Sequence, residues 1–175
     1  MKEKIELNNI SLDKIMNKSE IVEIYNKKQG EKLDLIDRRI DIFNDKNVAY
    51  RIVSKEETVG IALLYNIDKD NRNAKIDGFI IDEKNKAELR EALCHLMKYA
   101  FEELLLHKIS TNYISLNYFN EYIWNNLRFV YEGHLRDSVF LNEKYYSVEL
   151  KGFLCHEYKR FYLDEEHVRY TIFET

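Results

Sequence analysis

Hydrophobic positions along the chain switch between two periods, and the switches mark out the elements. The clearest run is helical: Leu89, Ala92, Leu93, Leu96, Met97, Ala100, Phe101 and Leu104 recur at alternating intervals of three and one, which is one face of a long amphipathic helix. Upstream, Val48 to Val53 and Thr58 to Ile67 are rich in β-branched and aromatic residues on either side of Lys55-Glu56-Glu57, a pattern that predicts a hairpin. The polar stretch Asp68 to Asn73 reads as a turn, and Ala74 to Ile81 as a further strand. His107 to Tyr113 predicts a strand, a helix through Ile123 and Leu127 follows, and Val139 to Leu141 with Tyr145 to Leu150 predicts a closing hairpin around Asn142-Glu143-Lys144. Near the start, Ile5 to Asn8 reads as a strand, and Leu12 to Tyr25 and Lys32 to Phe43 read as helices. Strand, two helices, three strands, long helix, strand, helix and two strands give an α/β fold with a mixed sheet.

The 175 residues suit one domain. No repeat or composition shift interrupts it before about residue 158, so 1–158 is read as the domain and 159–175 as a C-terminal extension. Phe161, Tyr162, Val168, Tyr170, Ile172 and Phe173 make that extension too apolar for a loose tail, and the alternation from Val168 to Ile172 predicts an added strand or a contact with a second subunit. A core of this size needs neither disulfide nor structural metal, so Cys94 and Cys155 read as reduced core thiols.

Charge and rare residues exclude whole classes of function. The closest of the five glycines, Gly60 and Gly78, are 18 positions apart, so neither a Walker loop nor a dinucleotide fingerprint can be written. A net charge of −4 argues against a nucleic-acid partner. The longest apolar run, Ile61 to Tyr65, is too short to span a bilayer, and the charged start leads into no leader-like segment, so a cytoplasmic protein without a membrane partner is expected. The five histidines have no partners at ligand spacing, and no metal is expected.

Several stretches carry a resemblance. Tyr99-Ala-Phe-Glu-Glu-Leu-Leu-Leu-His-Lys-Ile109, then Asn117, Trp124 seven residues on, Arg128-Phe129 and Glu132-Gly133-His134-Leu135-Arg136, and finally Leu154 and Glu157-Tyr158, are similar to the GCN5-related N-acetyltransferase (GNAT) superfamily. The similarity is to the branch of spermidine and ribosomal-protein N-terminal acetyltransferases. It implies a mixed central sheet flanked by helices and splayed after the fourth strand, with the pantetheine arm of acetyl-CoA in the gap against Phe79, Ile80, Ile81 and Asp82. It further implies a pyrophosphate on backbone N–H groups at the start of the long helix, among Lys84, Asn85, Lys86, Ala87, Glu88 and Leu89. The implied reaction is direct attack of a primary amine (polyamine, amino compound or protein N-terminus) on the thioester, and the apolar C-terminal extension is where a homodimer contact is expected. A catalytically silent domain of the same fold, binding a partner or ligand, is the alternative.

The residues depart from the family pattern where its chemistry is concentrated. The family's loop has glycines; the aligned positions here are Lys84, Ala87 and Leu89, and a side chain forced into the left-handed region costs ~1–2 kcal/mol. The same stretch reads as a helix cap, with Asn85 and Glu88 at capping-box spacing. Trp124 stands where the family commonly has tyrosine, and an indole N–H donates a hydrogen bond but does not ionise near neutral pH. It either walls the thioester pocket or packs. Tyr118 is the substitute acid, while helical geometry turns Tyr122 away from Trp124. Asn117 reads as a cofactor contact or a helix cap, and Asn120 as a cofactor contact or a surface residue. Asp77 and Glu83 are the candidate bases. For Asp77 the alternatives are a solvated strand residue or a bulge; for Glu83, an ordinary surface position.

Overall fold

The computed structural model describes residues 3–26, 47–115 and 118–163. Eight strands form one sheet: β1 (Lys4–Glu6), β2 (Ser11–Lys14), β3 (Val48–Ser54), β4 (Glu57–Asp68), β5 (Asn73–Ile80), β6 (Lys108–Ile114), β7 (Val130–Leu141) and β8 (Lys144–Leu154), in the order β1-β2-β3-β4-β5-β6-β8-β7. Only β5 and β6 are parallel neighbours; every other pairing is antiparallel. The helices are α1 (Lys18–Asn26), α2 (Lys86–Lys98), α3 (Tyr118–Asn126) and α4 (Cys155–Tyr158). None of these is long and apolar enough to cross a membrane.

The long apolar stripe forms as its spacing predicts. It runs through α2 and a following π-helical turn, Tyr99–Glu103, and its members are buried from Leu89 to Phe101, with Leu104 partly buried. Together with Leu12, Tyr50, Ile52, Leu64 and Ile76 they fill one face of the sheet. The opposite face carries a smaller cluster of Ile15, Ile21, Ile24, Ala49, Ile61, Leu63, Tyr65 and Phe79, to which α1 contributes two isoleucines. Gly78 lets α2 lie close, because a β-carbon there would stand 2.6 Å from Leu89 Cδ1.

Two readings of the chain are corrected. Leu12 does not begin a helix: residues 11–14 form β2, with Leu12 opposite Ile52, and the helix starts at Lys18. Leu12 and Ile15 have helical spacing but belong to clusters on opposite faces of the sheet. Asn17 then caps α1, its Oδ1 accepting the Glu20 N–H at 3.1 Å while Glu20 Oε1 accepts the Met16 N–H at 3.3 Å. The closing hairpin is also much longer than expected, because β7 starts at Val130. This edge strand is largely exposed and interrupted by two register shifts, so it lacks the alternation that betrays a buried strand. The helix expected at Lys32 to Phe43 lies outside the described residues.

At the C-terminal end the chain passes from α4 into a π-helical turn, Lys159–Leu163, whose Phe161 and Tyr162 pack partly buried against the main core. Phe161 faces Phe153 with ring centroids 6.5 Å apart, and Tyr162 stacks on Tyr158 at 5.4 Å. The strand expected from Val168 to Ile172 lies outside the described residues. Cys94 and Cys155 are free thiols at the margin of the main core, and burial raises the pKa of Cys94.

Candidate functional site

The central opening in the sheet follows from strand pairing. β5 has eight residues and β6 seven, yet they pair at only three rungs, Asn73↔Lys108, Ala74↔Ile109 and Lys75↔Ser110. Beyond the last rung the strands part, as expected for a sheet splayed at this point. Lys75 Nζ donates to Asn112 Oδ1 at 3.2 Å and ties the strands together where they diverge.

Backbone direction within β5 can be read from its other neighbour. The Ile81 N–H donates to Val59 O at 2.9 Å, and β4 and β5 run antiparallel through Ile61↔Phe79 and Leu63↔Asp77. Alternation of hydrogen-bonded and free pairs therefore turns the backbone groups of Phe79 and Ile81 toward β4, and those of Ile76, Gly78 and Ile80 toward the gap. Of the four residues expected against a pantetheine arm, Ile80 presents its backbone there. The side chains of Phe79 and Ile80 are buried on opposite faces, Ile81 packs on the smaller cluster, and Asp82 is exposed.

Asp77 lies on the α1 side of β5 with Phe79 and Tyr65. It is half-buried and its Oδ1 accepts the Gly78 N–H at 2.7 Å, an amide that faces the gap. Burial raises its pKa to about 7, against a smaller lowering by that hydrogen bond. The pairing with β4 is unbroken from Tyr65↔Lys75 to Gly60↔Ile80. Asp77 is therefore not in a bulge. Tyr65, missed in the sequence, is also raised, chiefly by burial and then by the Asp77 carboxylate.

The junction between β5 and α2 is a 3₁₀ turn, Glu83–Asn85, opened by Asp82. Asp82 Oδ1 accepts the Lys84 N–H at 3.0 Å, Asp82 O accepts the Asn85 N–H at 3.0 Å, and Glu83 O accepts the Lys86 N–H. The Asp82 pKa is lowered, first by the Lys84 backbone bond and then by the Lys84 side chain, whose Nζ stands 3.1 Å from Oδ2. Two expectations are corrected here. Asn85 makes no side-chain bond to the helix start, so the Asn85–Glu88 capping box does not form. No residue from Ile81 to Leu89 has positive φ, so the missing glycines leave no left-handed strain.

Around that junction Glu83, Lys84, Lys86 and Ala87 are exposed, Asn85 and Glu88 are half-buried, and the Leu89 side chain is in the core, leaving its backbone as the only part able to meet a ligand. Lys86 Nζ sits 4.8 Å above the Tyr122 ring and links the start of α2 to α3. Trp124 is buried, its ring 5.0 Å from Phe129, while Tyr122 is 47% exposed, so the two face different ways as expected. Asn120 is half-buried in the first turn of α3. Tyr118 opens that helix, but its side chain and the whole of Asn117 lie outside the described residues. On the α2 side of β6, Thr111 and Lys151 are buried cross-strand partners, and Lys151 Nζ donates to Asn125 Oδ1 in α3.

A family model for the acetyltransferase (GNAT) domain matches residues 7–149. The chain belongs to the GNAT acetyltransferase family. Within that family it is 29% identical over 101 residues to the putative ribosomal N-acetyltransferase YdaF of Bacillus subtilis (strain 168), a match covering 57% of this chain and 55% of that protein. The chain thus spans about half the length of the curated relative it matches. Its fold is that of a probable GNAT-family acetyltransferase from Chromobacterium violaceum, with TM-score 0.75, 14% identity and coverage of 90% and 93% of the two chains. A Vibrio cholerae spermidine N-acetyltransferase, SpeG, in a chimera with hSSAT, superposes with TM-score 0.72 at 17% identity over 87% and 99%. The GNAT fold accounts for the splay between β5 and β6, which no feature of either strand's own sequence announces.

Proposed function

We propose that this GNAT domain transfers an acetyl group from acetyl-CoA to a primary amine, whether a polyamine, an amino compound or a protein N-terminus. The observation that carries the reading is Asp77: a carboxylate at the edge of the gap, raised by burial to a pKa of about 7. A general base works best with a pKa near the ambient pH. Asp77 takes the proton that the amine loses as its nitrogen bonds to the acyl carbon, and holds it at the carboxylate. Tyr65 and Phe79 form part of the apolar wall on that side.

The residues also fit the coenzyme. Ile76 and Ile80 turn backbone groups into the gap, and the buried Trp124 Nε1 and Thr111 Oγ1 have no hydrogen-bond partner among the described residues. Ile80 would hold the pantetheine arm, and Lys84 and Lys86 would offset negative charge at the start of α2. Bound acetyl-CoA supplies an activated thioester carbonyl. Asn117, Asn120 and Tyr118 belong to the same reading as contacts or acid from α3 and its approach.

One observation favours the silent-domain alternative: the N–H groups of Lys84, Asn85 and Lys86 are already bonded within the junction. A thermal melt distinguishes the two. Acetyl-CoA at one hundred times its dissociation constant stabilises the native state by about 2.7 kcal/mol, so the midpoint rises by several degrees. No shift at millimolar coenzyme, with no acetylation of spermidine, amino acids or N-terminal peptides, would leave a binding domain without transfer activity.

A further inference from the structure

One edge of the sheet is open. β1 ends the strand order, and among the described residues it pairs with β2 alone. The Leu7 N–H donates to Ile10 O and the Lys14 N–H to Glu3 O, both at 2.8 Å, so Glu3, Ile5 and Leu7 turn their backbone groups toward β2. Alternation leaves Lys4 and Glu6 with theirs pointing outward. The side chains alternate as well: Ile5 and Leu7 pack against the main core, whereas those of Lys4 and Glu6 are exposed on the other face. An edge of this kind is a template for one more strand.

Beside this edge the core is unfinished. A groove of about 590 Å³ lies between the end of β1 and the outer side of α2, and its lining includes Leu7, Cys94, Tyr158, Tyr162 and Leu163. Leu163 is 50% exposed and is the last of the described residues, while Leu7 and Tyr162 are only partly buried. The chain thus arrives at the groove at the Leu7 end of β1, with residues 164–175 still to come. In that remainder Val168, Tyr170 and Ile172 alternate with Arg169 and Thr171, the period of a strand with one apolar face. Residues 164–167 separate Leu163 from Val168, and an extended stretch of that length reaches roughly 13 Å.

We infer that residues 168–172 add to the outer edge of β1 as a further, antiparallel strand of the same chain, with Val168, Tyr170 and Ile172 closing the groove. The direction follows from the point of departure: Leu163 stands at the Leu7 end, and the rest of β1 lies toward Lys4, so the tail runs against it. The pleat then fixes which residues face each other. The apolar side chains share the face of Ile5 and Leu7, so Arg169 and Thr171 stand opposite Lys4 and Glu6 and exchange backbone hydrogen bonds with them. Arg169 shares a face with the Glu6 carboxylate, an opposite-charge neighbour across the strands. A second copy of the chain offers the same segment, but a short tether holds the chain's own tail at an effective concentration on the order of mM, which favours it at ordinary protein concentrations.

Amide exchange in the intact chain, followed by NMR, reads this pattern directly. The N–H groups of Lys4, Glu6, Arg169 and Thr171 should exchange at least about tenfold more slowly than the outward-facing ones of Val168, Tyr170 and Ile172. Tyr170→Asp should erase that protection and speed alkylation of Cys94 about tenfold, with Cys155, which does not line the groove, as internal reference. Thr171→Lys, on the solvent face, should do neither. Rapid exchange at Lys4 and Glu6 in the wild type would overturn the inference and leave the groove to a small ligand. Protection at Val168, Tyr170 and Ile172 in place of their neighbours would overturn it too, since the apolar side chains would then face solvent. So would a wild type that sediments as a dimer beside a Tyr170→Asp variant that sediments as a monomer, because the strand would come from a second copy. The wild-type exchange pattern decides the matter even if a variant fails to fold.

Discussion

Asp77 shows how much of a residue's chemistry depends on what surrounds it. Its identity and the following Gly78 were visible in the sequence, but burial and the inward-facing amide that it accepts were not. The pKa near 7 follows from that environment and sets two opposite pH dependences. With Asp77 as the proposed base, the rate should rise about tenfold per pH unit below 7 and level off above. Asp77→Asn should lower turnover by a factor of about 100 or more and abolish that rise. Stability runs the other way. A carboxyl whose native pKa exceeds its unfolded value, about 3.9, stabilises the fold fully below that value and ceases to do so as pH climbs through 7. The melting point of Asp77→Asn should match wild type near about pH 4 and exceed it increasingly as pH rises to about 7 and above, which melts at the two ends of that range check. The turn residues carry a different lesson. Lys55 and Glu56, with φ of 50° and 68°, and Asn142 and Glu143, at 48° and 62°, take the left-handed conformations that two-residue hairpins favour, although none is glycine. Both hairpins were legible nonetheless, because the strands on either side announced them.

At the scale of elements, the start of α2 is where local sequence gave the least reliable guide. Asn85 and Glu88 have the spacing of a capping box, yet Asp82 opens a 3₁₀ turn first and satisfies the Lys84 N–H. Asn17 and Glu20, at the same spacing, do cap a helix. The difference lies in how the preceding strand delivers the chain, and that is set by tertiary pairing. Lys86→Glu tests what the junction is for. Losing an exposed cation–π contact costs about 0.5–1 kcal/mol, while an acidic residue in the first turn gains about 0.3–1 kcal/mol from the helix dipole. The melting point should therefore hardly move, while acetyl-CoA affinity falls about tenfold if the junction faces a pyrophosphate; calorimetry measures the second. Gly78 serves the helix through absence of a side chain. Gly78→Ala would bring a methyl group to 2.6 Å from Leu89 Cδ1 and 3.2 Å from Leu93 Cδ2. Overpacking of this kind costs about 1–3 kcal/mol, seen as a fall of several degrees in a thermal melt.

For the whole molecule, the boundary read at residue 158 can be tested against packing at its far side. Phe161 lies under the Arg128 guanidinium at 4.8 Å and beside Phe153, while Tyr162 stacks on Tyr158. A chain ending at Tyr158 should be less stable than one ending at Leu163 by about 2–4 kcal/mol, since two aromatic side chains packed against the core are lost. Paired denaturant titrations measure that difference, and equal midpoints would count against it. Periodicity by itself determined the long helix, the β3–β4 hairpin and the α/β class, because apolar residues repeating at the period of a helix or a strand must bury one face, whatever lies opposite. The resemblance from Tyr99 onward added the family. Tertiary structure alone decided that Leu12 and Ile15 serve opposite faces, that β7 continues back to Val130, and that β5 and β6 part after three rungs. It also decided that Thr111 Oγ1 meets no hydrogen-bond partner among the described residues. Each of these depends on which distant segment lies alongside, and spacing within one segment holds no record of its neighbour.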